Sequence, residues 1–155
     1  VNDALAKKLG LTETEFLHQN GLDPEGRPCG IGRIGTVEGF ETGPQFAAFV
    51  RSTLNANGLR LEDAGRPIRR VAVGGGACGD MLLDAVAKGC DTFVTADVKY
   101  NTFLDARAMG INLIDAGHFS TENVVCPVLA EWLREGFPKV EVLLSVWHKE
   151  VFSCL

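Results

Sequence analysis

From Ile68 to Val146, short apolar runs alternate with segments whose apolar residues recur at helical spacing, and this alternation restricts the fold more than any other feature of the chain. The runs Ile68–Val73, Thr92–Thr95, Ile111–Asp115 and Val140–Val146 have the length and content of buried strands. Between them, Asp80–Lys88, Tyr100–Ala108 and about Thr121–Arg134 read as helices. Strands joined through helices require right-handed crossovers, so the pattern predicts an α/β fold with a largely parallel sheet and alternating helices. Functional residues in such sheets gather where the strands end. The loops Gly74–Gly79, Ala96–Lys99 and Ala116–Ser120 are therefore expected along one edge. The last helix carries Val124, Val125, Val128, Leu129, Trp132 and Leu133 as a stripe expected to face the core.

The upstream part is less regular. A short helix is expected over Asn2–Leu9, capped by Asn2 or Asp3 and stopped by Gly10. From Asn20 to Gly43 the glycines, Pro24 and Pro28 read as connections, with a short strand around Thr36 and Val37. Pro44–Leu54 then returns to helical spacing, with proline in the first turn. The 155 residues suit a single domain. Its expected layout is a connecting helix and loops over 1–43, followed by an α/β core over 44–155.

Composition narrows the function classes. A formal charge of −5 argues against a phosphate-backbone footprint, and the one basic knot, Arg66, Arg69 and Arg70, reads as a solvated strand entrance. No nucleic-acid partner is expected. Five cysteines, at 29, 78, 90, 126 and 154, form no CxxC and read as reduced thiols of a cytoplasmic protein. No apolar run approaches the roughly 20 residues of a membrane span, and residues 1–20 lack a signal-peptide pattern. Beginning at Val1 without a methionine, the chain reads as cut from something longer.

Three stretches carry chemistry. Gly74, Gly76 and Gly79 fit GxGxxG between a strand and a helix, with Asp97 as a possible acidic partner. That pattern can suit a dinucleotide pyrophosphate, but a run this rich in glycine matches it easily and reads better as a structural turn or a generic anion nest. Thr95, Asp97 and Lys99 end the next strand with a hydroxyl, a carboxylate and an ammonium. They could orient a polar substrate or support metal ligands, or be a helix entry capped by Asp97.

The third stretch runs from Asp115 to Glu122. Four helical residues advance only about 6 Å and return to nearly the same face, so His118 and Glu122 can address one centre. Imidazole and carboxylate together suit zinc, iron or manganese better than calcium. Against a metal, Glu122 fits a first-turn acid and His118 a hydrogen-bonded turn residue, and a metal needs three or four ligands. His18 and His148 read as surface residues. There is no nucleophile elbow, P-loop or HExxH.

Taken as wording, VAVGGGACGD, TFVTADVKYNTFLDA and INLIDAGHFSTENVV resemble the Nif-three family of dinuclear-metal proteins, many named GTP cyclohydrolase 1 type 2 homologs. The opening VNDALAKKLGL and the GIGRIG turn at 30–35 extend the resemblance over nearly the whole chain. It implies the C-terminal part of a Nif-three-like fold, with His118 and Glu122 as two ligands of a pair of divalent zinc, iron or manganese ions. It further implies that the other ligands, a histidine pair and an aspartate, lie in an N-terminal half, the aspartate a few residues before Val1. This chain alone should then bind metal weakly or not at all. The complete protein should be a homo-oligomer, a hexamer, without the middle domain that longer members insert.

The function so implied is metal-dependent hydrolysis, with Gly74, Gly75, Gly76, Thr95, Asp97 and Lys99 lining the substrate pocket. The alternatives are a non-catalytic, metal-dependent hexameric assembly or regulatory protein and, from the glycine motif, a dinucleotide-binding oxidoreductase. Two positions depart from the family wording. Ala96 stands where glycine is frequent and Asn101 where histidine is, and an asparagine cannot titrate as an acid or base.

Overall fold

The computed structural model describes residues 1–154. Helix α1 (Asn2–Lys8) leads into two long strands, β1 (Thr12–Leu22) and β2 (Pro28–Phe40), then helix α2 (Gly43–Leu54) and the short strand β3 (Arg60–Glu62). Strands β4 (Ile68–Val73), β5 (Thr92–Thr95) and β6 (Asn112–Asp115) follow, separated by α3 (Leu82–Ala87) and α4 (Tyr100–Met109). The chain then forms α5 (His118–Glu122) and α6 (Val125–Gly136).

All six strands share one sheet in the order β1-β2-β4-β5-β6-β3. The α/β alternation is present, and β4, β5 and β6 run parallel as it requires. The sheet as a whole is nevertheless mixed rather than largely parallel. β1 pairs antiparallel with β2, β2 with β4, and β3 with β6.

Side-chain alternation along the parallel strands divides the core in two. Val71, Val73, Val94 and Ile114 point to the face covered by α1 and α2, where Leu5, Leu9, Phe46 and Val50 are buried. Ala72, Phe93 and Leu113 point to the other face, against Leu82, Ala85 and Ala106 of α3 and α4. Phe46 packs edge-on to Phe40, with centroids 4.9 Å apart. Helix α2 is held at its start by Thr42, whose hydroxyl accepts the Gln45 amide, and ends on Asn55 in the left-handed region.

Residues 1–43 are not a connecting helix and loops, because β1 and β2 form a long hairpin there. The glycines of β2 are needed for close strand approach. A Cβ at Gly35 would stand 2.7 Å from the Thr12 carbonyl, and one at Gly32 would stand 2.9 Å from Leu17 and from the Val73 carbonyl. β1 is polar because it lies at the sheet edge with only Leu17 buried.

The expected strand over Val140–Val146 does not form. β3 occupies the free edge of β6, where a continuing parallel strand would have docked, and Val146 is 86% exposed. The last helix is also divided: α5 ends at Glu122, and Pro127, which has no amide hydrogen to donate, sits in the first turn of α6. The apolar stripe of α6 does not face the core, for Ala130 alone in this helix is buried and Trp132 is 64% exposed. No helix among the described residues is long and apolar enough to cross a membrane.

Phe93 is fully buried between β4, β6 and the helices of its face. Phe93→Ala should lower unfolding free energy by about 3–5 kcal/mol in urea denaturation. Val146→Ala, at a solvent-facing position, should stay within about 0.5 kcal/mol.

Candidate metal centre

The loops after β4, β5 and β6 meet at one edge of the sheet, tied to each other through backbone groups. The Ala96 amide donates to the Gly76 carbonyl at 3.0 Å, and the Ala116 amide to the Thr95 carbonyl at 2.9 Å. Thr95 is fully buried, its hydroxyl donating to the Gly76 carbonyl and accepting from the Cys78 amide. The Gly76 amide donates to the Thr121 hydroxyl at 3.0 Å, joining the first loop to α5. The Gly75 amide donates to Asn2 Oδ1 at 2.8 Å, so Asn2 binds this loop instead of capping its own helix.

Three side chains face one another here. His118 Nδ1 lies 2.5 Å from Asp97 Oδ2, and His118 Nε2 lies 3.2 Å from Glu122 Oε2 across one helical turn. All three are about half exposed. Asp97 is not a helix cap, because α4 begins after Lys99. It sits in the left-handed region at φ 52°, a conformation that costs a non-glycine residue of the order of 1–2 kcal/mol and that turns its carboxylate toward the imidazole. The hydrogen bond that His118 donates to Asp97 is the main cause that raises the His118 pKa; partial desolvation opposes it, and the charges of Glu122 and Asp97 add to it.

Gly76 makes room for this group. At φ +68° it adopts a conformation natural to glycine, and a Cβ there would stand 2.5 Å from Glu122 Oε1 and 3.2 Å from His118 Nε2. The first three amides of the GxGxxG run are spent within the protein rather than turned to an anion. Gly74 donates to the Val94 carbonyl, Gly75 to Asn2, and Gly76 to Thr121. The run leads into a single 3-10 turn and the six-residue α3, which is a poor match to a dinucleotide site. Thus Gly74, Gly75, Gly76 and Thr95 act as walls and ties of the site. Lys99 lies with Asp80, Asp97 and Thr102 around a neighbouring hollow of about 360 Å³.

Asp115 is the residue that sequence reasoning overlooked. Its side chain is only 8% exposed. Oδ2 accepts the Val98 amide at 3.0 Å and a hydrogen bond from Arg60 Nη2, and Oδ1 accepts the Gly117 amide at 3.1 Å. One carboxylate therefore fixes both the loop that carries Asp97 and the turn that presents His118. Arg60 was missed as well, because a three-residue edge strand leaves little periodicity to read.

The remaining candidates fall into place around this centre. Cys78 borders the loop, but burial first, and then the charges of Asp80 and Glu122, push its thiol above the ordinary range, so it stays protonated. His18 is a surface residue 3.4 Å from Asp84. His148 is exposed too, with its ring 5.0 Å from that of Phe119. Among the described residues, no three His, Cys, Asp or Glu side chains form a group able to hold a metal. The donors present, an oriented imidazole and a carboxylate around an emptied glycine position, fit part of such a site.

Residues 1–150 match the sequence pattern of the Duf34/NIF3 (NGG1p interacting factor 3) family. The chain belongs to the Duf34/NIF3 family. A Streptococcus pneumoniae protein named GTP cyclohydrolase 1 type 2 homolog is 31% identical over 153 residues, covering 94% of this chain and 56% of the relative. One of the same name from Streptomyces coelicolor is 39% identical over 140 residues, covering 87% and 48%. The crystal structure of Staphylococcus aureus hypothetical protein SA1388 superposes with TM-score 0.83 at 25% identity, over 99% of this chain and 63% of that one. A Bacillus cereus protein related to NIF3 shares the fold with TM-score 0.82 at 21% identity, over 99% and 69%. The chain thus spans about half the length of these curated relatives.

Two outcomes follow from the hydrogen bonds of the site. In an NMR titration His118 should titrate above the ordinary value near 6.5, and Asp97→Asn should move it down. The sign is that of a cation stabilised by folding: the contribution to stability is complete below the unfolded-state pKa and lost as pH rises through the elevated one. Asp115→Ala should destabilise by about 1–3 kcal/mol by stranding the Val98 amide, and Asp115→Asn, which keeps an acceptor oxygen, by less.

Proposed function

We propose that His118 and Glu122 are two ligands of a dinuclear centre of divalent zinc, iron or manganese, completed by ligands from outside this chain, and that the centre serves hydrolysis. The observation that carries this reading is the Asp97–His118–Glu122 alignment around Gly76. With Nδ1–H donating to Asp97, the neutral imidazole directs its Nε2 lone pair to the side where Glu122 lies, an arrangement typical of metal-bound histidine. Glu122 contributes a hard oxygen, and Gly76 leaves the volume between them open. Divalent cations held there would supply Lewis acidity and a water acidified toward neutrality.

The ligand count also fits a shared site. A catalytic metal takes about three protein ligands, and this chain offers each cation fewer. Val1 borders the same hollow as His118 and Glu122, so residues joined ahead of it emerge beside the pair. Lys99 stands close enough to Asp97 to meet the polar end of a substrate. The relatives' name makes GTP the first substrate to screen, with phosphoesters beside it. The complete protein is expected to be a homohexamer in the cytoplasm.

A second reading, in which the cations hold an assembly and turn nothing over, is favoured by the exposed apolar face of α6 at Leu129, Trp132 and Leu133. Hydrolysis of GTP or a phosphoester by the metal-loaded protein decides for the first reading; stoichiometric metal without turnover decides for the second.

Elemental analysis tests the ligands. The 155-residue chain should hold well under one metal ion and the longer protein two, and His118→Ala or Glu122→Gln in the longer protein should lower that content. Two tightly held ions on the 155-residue chain would refute the shared site. Undiminished metal in both variants would refute the ligand assignment. Asp97→Asn should weaken metal affinity by about 10–100-fold.

A further inference from the structure

Beside His118 the surface opens into a cleft of about 450 Å³, whose walls include Arg60, Asp97, Asp115, Gly117 and, from the C-terminal segment, Phe152. Arg60 is the one cationic side chain other than His118 on those walls. It projects from β3, opposite Asp115 in the register of β3 and β6. Its guanidinium is held in place from two directions. Nη2 donates to the Val98 carbonyl at 2.8 Å and to the Asp115 carboxylate, and the ring of Phe103 lies beneath, 5.1 Å from the guanidinium carbon.

This anchoring uses a single nitrogen. Nε and Nη1 have no acceptor among the described residues, and the side chain is 58% exposed. A flexible arginine loses rotamer freedom when it captures an anion, whereas one already fixed by a carboxylate and an aromatic face loses little. The acidic walls are themselves engaged. Asp115 is paired with Arg60 and two amides, and Asp97 with His118, so neither confronts an incoming anion as an unpaired charge.

We propose that Arg60 is the anion-recognising residue of this cleft, binding a phosphate-type oxyanion of the substrate while the rest of the group faces His118. A tetrahedral oxyanion has acceptors in several directions, so one oxygen can meet Nη1 and another can turn toward the ligand pair. The inference rests on the metal-centre reading for its direction of approach, since cations held at His118 and Glu122 make that side of the cleft positive. The recognition itself belongs to Arg60. A purely structural Arg60, serving only to bridge β3 and β6, would affect stability and leave anion affinity untouched.

The test is isothermal titration of inorganic phosphate into the purified protein, the Arg60→Ala and Arg60→Gln variants and Arg60→Lys, with zinc present and absent. Metal content is measured on the same samples. Arg60→Ala should weaken phosphate binding at least tenfold with metal content unchanged, and Arg60→Lys should recover part of the loss. Arg60→Gln keeps a donor for Asp115 and gives the same reading should the alanine variant fail to fold. Phosphate affinity within twofold of the parent in the glutamine variant, or no measurable phosphate binding by the parent, would overturn the proposal. Absence of metal from the longer protein would count against the metal-centre reading alone, because the comparison across Arg60 variants is made without zinc as well.

Discussion

The carboxylate of Asp115 is the point on which the functional edge of this protein depends. It terminates β6, and from there it accepts the amide of Val98 from one loop and the amide of Gly117 from another. Arg60 reaches the same carboxylate from the opposite side of the sheet order, across the antiparallel pairing of β3 and β6. Three segments far apart in sequence are thereby held at fixed separation. An amide–carboxylate bond in a nearly buried position is stronger than its neutral counterpart and costly to leave unmade. The position of Asp97 and that of His118 are both consequences of this one group.

The parallel part of the sheet supplies the rigid support. The central residues of β4, β5 and β6 are buried on both faces, so the strand ends cannot shift without disturbing two cores. The loops they present are short and internally bonded, and the glycine loop is tied to α1 through Asn2 and to α5 through Thr121. In this arrangement the proposed metal ligands are held by residues that would not touch the metal.

How much of this could be read from sequence depended on what each segment buries. β4, β5, β6 and α2 were legible because apolar residues recur there at strand or helix spacing. β1 and β2 were not, since an edge strand with only Leu17 buried has no apolar alternation and the glycines of β2 serve close packing that looks like turn chemistry. Val140–Val146 and the stripe on α6 erred the other way, because apolar content says that a segment seeks cover without saying that this chain provides it. For the site, spacing alone places His118 and Glu122 on one face but favours a turn histidine and a first-turn acid over a metal pair. Family resemblance singled them out. Asp97 is legible by its position at a strand end, and the folded chain removes only its reading as a helix cap; Asp115 reads as the end of a strand, since only the folded chain shows that three segments converge on it.

Gly76 gives the site an unusual kind of vulnerability. The hydrogen bond its amide donates to Thr121 and those its carbonyl accepts from Thr95 and Ala96 are made by a backbone at φ +68° that suits glycine. What it contributes beyond them is emptiness at the place where Glu122 and His118 come closest. A side chain at position 76 would fill that space while His118, Glu122 and Asp97 all remained in the sequence. A comparison of relatives that checks only for the histidine and the glutamate would pass such a protein as intact. The volume at position 76 is therefore as informative about competence as the identities at 118 and 122.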